Sequence, residues 1–241
     1  KEIVTKQLNL DDKKFEPRSV RYAISNAKNQ GFSPQEFERE NPKYWGRVIT
    51  EVYSCYQDKL AQNNALDFDD LILIPVKLFQ QNEQVLNYWH RKFQHILVDE
   101  YQDTNRTQYD LIRLLVTNGE NNKNNWNWSD RSILVVGDAD QSIYSFRMAD
   151  FTILLEFQED FGDGLPDEDT GTMVKLEENY RSCENILEAA NQLIENNTER
   201  IDKILKPTRG TGEKIYCHKA DDEIAEAEFV INQIRTLERQ N

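Results

Sequence analysis

The chain has 241 residues, 38% of them hydrophobic and 10% aromatic, with a net charge of −14. That is enough for one large domain or two smaller ones with a real core, and too apolar for a disordered chain. The acidic balance excludes a broadly basic nucleic-acid-binding face, and no apolar run approaches the roughly 18–20 residues a membrane helix needs.

In chain order, residues 1 to about 65 read as helical. Ser33-Pro34-Gln35-Glu36 is a capping box with Pro at the first helical position, and Asn41-Pro42 opens another helix in the same manner. Trp45, Ile49, Val52, Tyr56 and Leu60 then recur at helical spacing and predict a packing stripe. Lys13, Lys14, Arg18 and Arg21 could reach a phosphate backbone, but read first as a solvated face. Leu66-Asp67-Phe68-Asp69-Asp70 opens a helix running to about Gln81, its acids at the positive end of the dipole. A helix around Gln84 to Arg91 follows.

Ile96-Leu97-Val98-Asp99-Glu100 is the centre of the chain. Its apolar run ending in two acids predicts a short buried strand, central in a parallel sheet. A helix carrying Tyr109, Ile112, Leu115 and Val116 comes next, then an Asn-rich surface loop from Asn118 to Trp128. Ser132 to Val136 is a second buried strand ending in Gly137-Asp138-Ala139-Asp140-Gln141, and Phe151 to Asp160 is a helix. The acidic stretch from Glu156 to Glu178, with its Gly and Pro, is the best candidate linker. Met173 to Leu176 is a third strand leading into Asn179-Tyr180-Arg181-Ser182, and Ser182 caps a helix with Ile186, Leu187, Ala190, Leu193 and Ile194. Lys206 to Gly210 is a turn, Ile215 to His218 a strand, and Glu223 to Leu237 a closing helix. Strands alternating with helices define an α/β fold with a parallel sheet.

Ligands of open α/β sheets bind just past the carboxyl ends of the strands. The three strand ends carry Asp99-Glu100, Asp138 to Gln141 and Asn179 to Arg181, an inventory that fits a nucleoside triphosphate. One carboxylate can serve Mg²⁺ and one can take a proton from the attacking water. Gln141 can hydrogen-bond a terminal phosphate, Arg181 can stabilise charge developing on the transferred phosphoryl group, and Tyr180 can stack on a base. Taken singly, Gln141 reads as a surface amide and Arg181 as half of an ion pair, with Glu177 or Glu184 as its partner; the combination is what is specific.

ILVDEYQDTN, VVGDADQSIYSFRMAD and KLEENYRSCENIL resemble motifs II, III and IV of the superfamily 1 UvrD/PcrA/Rep-like DNA helicases, and ALDFDDLI resembles a segment upstream of motif II in that family. The resemblance implies an ATP-dependent, 3′ to 5′ DNA helicase. Its fold would be RecA-like (P-loop NTPase type), a partial parallel sheet with an all-helical insertion domain. Residues 1–65 would be the helical insertion, 66–172 the second part of the first RecA-like domain, and 173–241 the start of the second. Asp99 would serve Mg²⁺ and Glu100 would be the general base. Gln141 would sense the γ-phosphate of ATP, Tyr180 would stack on adenine, and Arg181 would be the arginine finger. Tyr144, Phe146 and Arg147 would touch single-stranded DNA, with Phe146 where the family often has Trp. Single-stranded DNA and duplex junctions are the implied partners, with proteins of repair or replication beside them.

Met148 stands where the family usually has Gly, and Glu178 where it usually has Gln. No G-x-x-x-x-G-K-[ST] occurs in the sequence, since Gly210-Thr211-Gly212-Glu213-Lys214 has the wrong spacing. The chain also begins Lys1-Glu2 without an initiator Met or signal peptide. It is therefore expected to be an internal piece of a longer helicase, inactive by itself. The helicase part of a helicase–nuclease and a non-catalytic module binding partners through its acidic surface are the rival readings. Cys55, Cys183 and Cys217 are few and scattered; they show no metal-ligand spacing and predict a reducing, cytoplasmic location.

Overall fold

The computed structural model describes residues 1–144, 148–166, 169–198 and 200–240. The chain divides into two compact units, Lys1–Val174 and Lys175–Asn241.

The first unit starts with a π-helical turn, Ile3–Gln7, and helix α1, Pro17–Asn29, which has Pro17 in its first turn. Helix α2, Pro34–Glu40, begins at the expected capping box: Ser33 Oγ accepts from the Glu36 N–H at 3.3 Å, and Glu36 Oε2 accepts from the Ser33 N–H at 2.7 Å. Helix α3 spans Tyr44–Gln62, so it starts two residues past Pro42, with Lys43 as its extended N-cap. The cause is local. The Asn41 carbonyl lies where a Cβ on Gly46 would be, at 2.0 Å, so the turn into the helix needs glycine there.

Val20, Ile24 and Ala27 of α1, Phe37 of α2, and Ile49, Val52 and Tyr53 of α3 form the core of this helical part. The expected α3 stripe is rotated slightly. Ile49 and Val52 are buried, but Trp45 is 46% exposed, and Val48 and Tyr53 take the inner positions.

Helix α4, Asp70–Gln81, continues through Pro75, and α5, Glu83–Lys92, is capped by the Asn82 side chain, which accepts from the Val85 N–H at 3.1 Å. Strand β1, His95–Val98, runs parallel to β2, Ser132–Val135, with His95 opposite Ser132 and Val98 opposite Val135. Helix α6, Arg106–Val116, crosses between them and opens with a capping box from Asn105 and Gln108.

The parallel pairing agrees with the sequence reading, but full burial of both strands does not. Ile96, Val98, Ile133 and Val135 pack against a core that includes Tyr101, Tyr109 and Val116. Leu97 and Leu134 point the other way and are 72% and 57% exposed. The described residues lay a layer over one face only, so side-chain alternation leaves every second residue uncovered.

The Asn-rich loop is anchored rather than loose, because Trp126 and Trp128 stack on Phe161 at 5.6 and 5.4 Å between centroids. The helix expected over 151–160 is two short ones, α7, Thr152–Leu155, and α8, Phe157–Asp160, meeting at Glu156, whose ψ is −8°.

In the second unit, β3, Glu178–Asn179, pairs in parallel with β4, Lys206–Pro207. Residues 173–176 do not form the expected strand. Pairing begins only where the Lys206 N–H reaches the Glu177 carbonyl at 2.8 Å, and Val174 and Leu176 are exposed. Lys206-Pro207, expected as a turn, supplies the pairing strand instead. Helix α9 spans Glu184–Ile194 with Cys183, not Ser182, at its N-cap. The Ser182 N–H is held by Asn179 Oδ1 at 2.8 Å, which places the helix start one residue later. Residues 215–218 form no strand, having no pairing partner among the described residues. The closing helix α10 spans Glu223–Gln240.

Candidate nucleotide site

The parallel register of β1 and β2 brings two of the predicted clusters to one edge. Past Val98, the Val136 N–H donates to the Val98 carbonyl at 2.8 Å, and the Tyr101 N–H donates to the Val136 carbonyl at 2.9 Å. Between these bonds the chain turns sharply at Asp99-Glu100. Glu100 has φ 51° and ψ 44°, the left-handed region, which costs a non-glycine residue roughly 1–2 kcal/mol. Such strain is found where geometry serves a site. Asp99 Oδ1 accepts from the Glu100 N–H at 2.9 Å, and both acids are exposed at the strand tip.

Gln141 belongs to the matching turn after β2. Its Nε2 donates to Asp138 Oδ2 at 2.6 Å, and its N–H donates to the Asp138 carbonyl at 2.9 Å. Asp138 Oδ1 accepts from the Asp140 N–H at 3.0 Å, so the Asp138 side chain organises the whole turn.

Between the two tips lies a residue to which the sequence reading gave no role. Gln102 is 2% exposed. Its Nε2 donates to Glu100 Oε2 at 2.7 Å, and its Oε1 accepts from the Asp138 N–H at 2.9 Å. A Cβ on Gly137 would stand 2.8 Å from that Oε1, so glycine is what lets the amide seat itself there. Gln102 sits inside the YQDTN segment, but nothing in the spacing distinguishes an inward amide from a surface one.

Tyr101, beside it, is fully buried, with its ring edge-on to Phe157 at 5.6 Å. Burial, with the nearby Asp160 carboxylate, pushes its phenol well above the usual range.

The half-buried Tyr144 follows Gln141 in irregular chain; Phe146 and Arg147 lie outside the described residues. Met148, where the family usually has Gly, has φ 64°, a conformation that favours glycine. Its sulfur accepts from the Tyr22 hydroxyl of α1 at 3.9 Å.

Tyr180 and Arg181 stand on the second unit, directly after β3. Tyr180 is 71% exposed, and its hydroxyl donates to the Glu178 carboxylate, which raises its phenol pKa. The Arg181 backbone is pinned by Asn179 Oδ1 at 2.9 Å and by Arg209 Nη1 at 2.7 Å. Glu177 pairs with Lys206, and Glu184 accepts from Thr211 Oγ1 at 3.0 Å. Neither acid takes the Arg181 guanidinium, which has no ion pair among the described residues.

No cluster of three or more His, Cys, Asp or Glu side chains fit to hold a metal occurs among the described residues. The three cysteines are free thiols. Among the described residues, no helix is long and apolar enough to cross a membrane.

Comparison with known proteins defines the class. The model of the UvrD/REP helicase N-terminal domain matches residues 1–162, and that of the UvrD-like helicase C-terminal domain matches residues 174–241. The chain belongs to the UvrD/REP helicase family. It is similar to the ATP-dependent DNA helicase PcrA of Bacillus subtilis (strain 168), with 43% identity over 97% of this chain and 29% of that protein. It is also similar to the ATP-dependent DNA helicase PcrA of Staphylococcus aureus (strain Mu50 / ATCC 700699), with 45% identity over 98% of this chain and 30% of the relative. The chain thus spans less than a third of the length of these relatives.

Proposed function

We infer that this chain is the part of an ATP-dependent DNA helicase that carries the hydrolytic carboxylates and the phosphate-sensing turn. The observation that carries the reading is the β1–β2 edge, where Asp99, Glu100 and the Asp138–Gln141 turn meet and are joined through Gln102. Family membership and the two PcrA relatives support ATP as the nucleotide and DNA as the track.

In this reading residues 66–172 are the second part of a RecA-like domain, with residues 1–65 as a helical insertion and residues 173–241 opening a second RecA-like domain. The uncovered Leu97 and Leu134 face is what a further layer of a RecA-like sheet would cover.

Asp99 would hold Mg²⁺, and the ion would supply charge neutralisation at the phosphates when bound. Glu100 takes the proton of the attacking water. Gln141 reports the terminal phosphate to the segment holding Tyr144, Phe146 and Arg147, which touches single-stranded DNA. Tyr180 stacks on adenine, and Arg181, which has no ion pair among the described residues, supplies its guanidinium to the phosphoryl group. The protein works in the cytoplasm on single-stranded DNA and duplex junctions, with partners drawn from repair or replication.

Strand displacement by the full-length protein tests this. A duplex with a 3′ single-stranded tail should be unwound with ATP, and one with only a 5′ tail should not. Unwinding of neither, by a folded protein, would overturn the reading.

A further inference from the structure

We propose that Gln102 is the positioning residue that couples the base to the phosphate-sensing turn; this rests on the reading of Glu100 as general base. Both ends of its buried amide are engaged. The NH₂ group holds the Glu100 carboxylate at 2.7 Å, and the carbonyl holds the Asp138 N–H at 2.9 Å.

The two contacts lie on different strands' tips, so the amide fixes the distance between them. Glu100 needs such a tether. Its backbone is held in the left-handed region, but its side chain is exposed and would otherwise sample several rotamers. Asp138 in turn holds Gln141 through both of its carboxylate-side and carbonyl contacts. The path Glu100–Gln102–Asp138–Gln141 is therefore continuous through hydrogen bonds. A shift of the Gln141 turn on meeting a terminal phosphate is transmitted to the carboxylate that activates water. The Ser142 hydroxyl, donating to the Gln102 backbone carbonyl at 3.4 Å, adds a second tie between the same two segments.

The test uses the full-length helicase with two variants of matched length. Gln102→Met removes both contacts. Gln102→Glu keeps an acceptor for the Asp138 N–H and removes the donor to Glu100. Both should lower DNA-stimulated kcat, on the order of 10²-fold, because the base is misplaced while the nucleotide is still bound, so KM for ATP should change little. Residue-resolved hydrogen exchange should show the Asp138 amide fast in Gln102→Met and slow in Gln102→Glu. Single-turnover rates should show that Gln102→Met has no further effect in a Glu100→Gln background, because both changes act through one group.

A folded Gln102→Met protein with parent kcat, or a loss that adds in full to that of Glu100→Gln, would overturn the proposal. Parent-like turnover of Glu100→Gln alone would remove the base assignment instead. The Asp138 exchange would then decide the tether by itself, and protection unchanged in Gln102→Met would overturn it.

Discussion

Lys28 Nζ lies 2.8 Å from Asp70 Oδ1, with both side chains shut off from water. Lys28 ends α1 and Asp70 begins α4, 42 residues later. The same ammonium meets Asp67 Oδ2 at 2.7 Å, and Gln57 Nε2 reaches Asp70 at 3.2 Å. Burial would push the Asp67 carboxyl up, but hydrogen bonds from Lys28, the Asp70 backbone and Tyr56 hold it below the usual range. The Lys28 carbonyl also accepts from Thr107 Oγ1 at 2.6 Å, so this knot fastens α1 to α4 and α6 together.

Removing Lys28 leaves the buried Asp70 carboxylate without its counter-charge. Lys28→Met should therefore destabilise the protein by about 3–5 kcal/mol. Lys28→Met combined with Asp70→Asn should cost less than the sum of the single changes. Urea unfolding of the three variants checks this; additive losses would refute a coupled pair.

The capping box predicts a pH dependence. The Ser33 backbone N–H, with Ser33 Oγ and Lys77 assisting against burial, lowers the Glu36 carboxyl from 4.5 to about 2. A carboxylate depressed in the folded state contributes stability above its unfolded pKa. That contribution should be lost as the pH falls from about 4.5 toward about 2. Glu36→Gln should remove this part of the acid sensitivity while leaving α2 capped by Ser33. Urea midpoints for parent and variant should differ at pH 7 and converge near pH 2; a constant gap would contradict the assignment.

Much of the β1–β2 edge is legible in the sequence. An apolar run breaking into Asp99-Glu100 can end only in a turn, and two such runs separated by a helix pair in parallel. The Ser33 cap was legible because its chemistry is local. Lys28 was not, because a lysine in an amphipathic helix reads as solvated until a distant acid is brought to it. Gln102 was missed for the same reason, its partners being set by the β1–β2 register. The strand expected over 173–176 failed because apolar residues form a strand only where a neighbouring backbone accepts them.

Arg181 and Tyr180 should separate kinetically in the full-length helicase. Arg181→Ala should cut DNA-stimulated kcat by on the order of 10³–10⁵ with little loss of ATP affinity, as for other arginine fingers. Tyr180→Ala should instead raise KM for ATP through lost stacking. Near-parent kcat in a fully folded Arg181→Ala protein would refute the finger.

The 241-residue chain by itself should hydrolyse no ATP above background, because it contains no phosphate-cradling glycine loop with its lysine. Phosphate release measured with and without single-stranded DNA checks this, and a DNA-stimulated rate abolished by Glu100→Gln would contradict it.

The most direct test of the site at the β1–β2 edge is DNA-stimulated ATP hydrolysis by full-length Glu100→Gln, with nucleotide binding measured on the same protein. Loss of a general base costs on the order of 10²–10⁴ in rate. The account predicts a fall of that size in kcat with ATP still bound at near-parent affinity. Parent-like kcat, or loss of ATP binding with turnover per bound nucleotide intact, would contradict it.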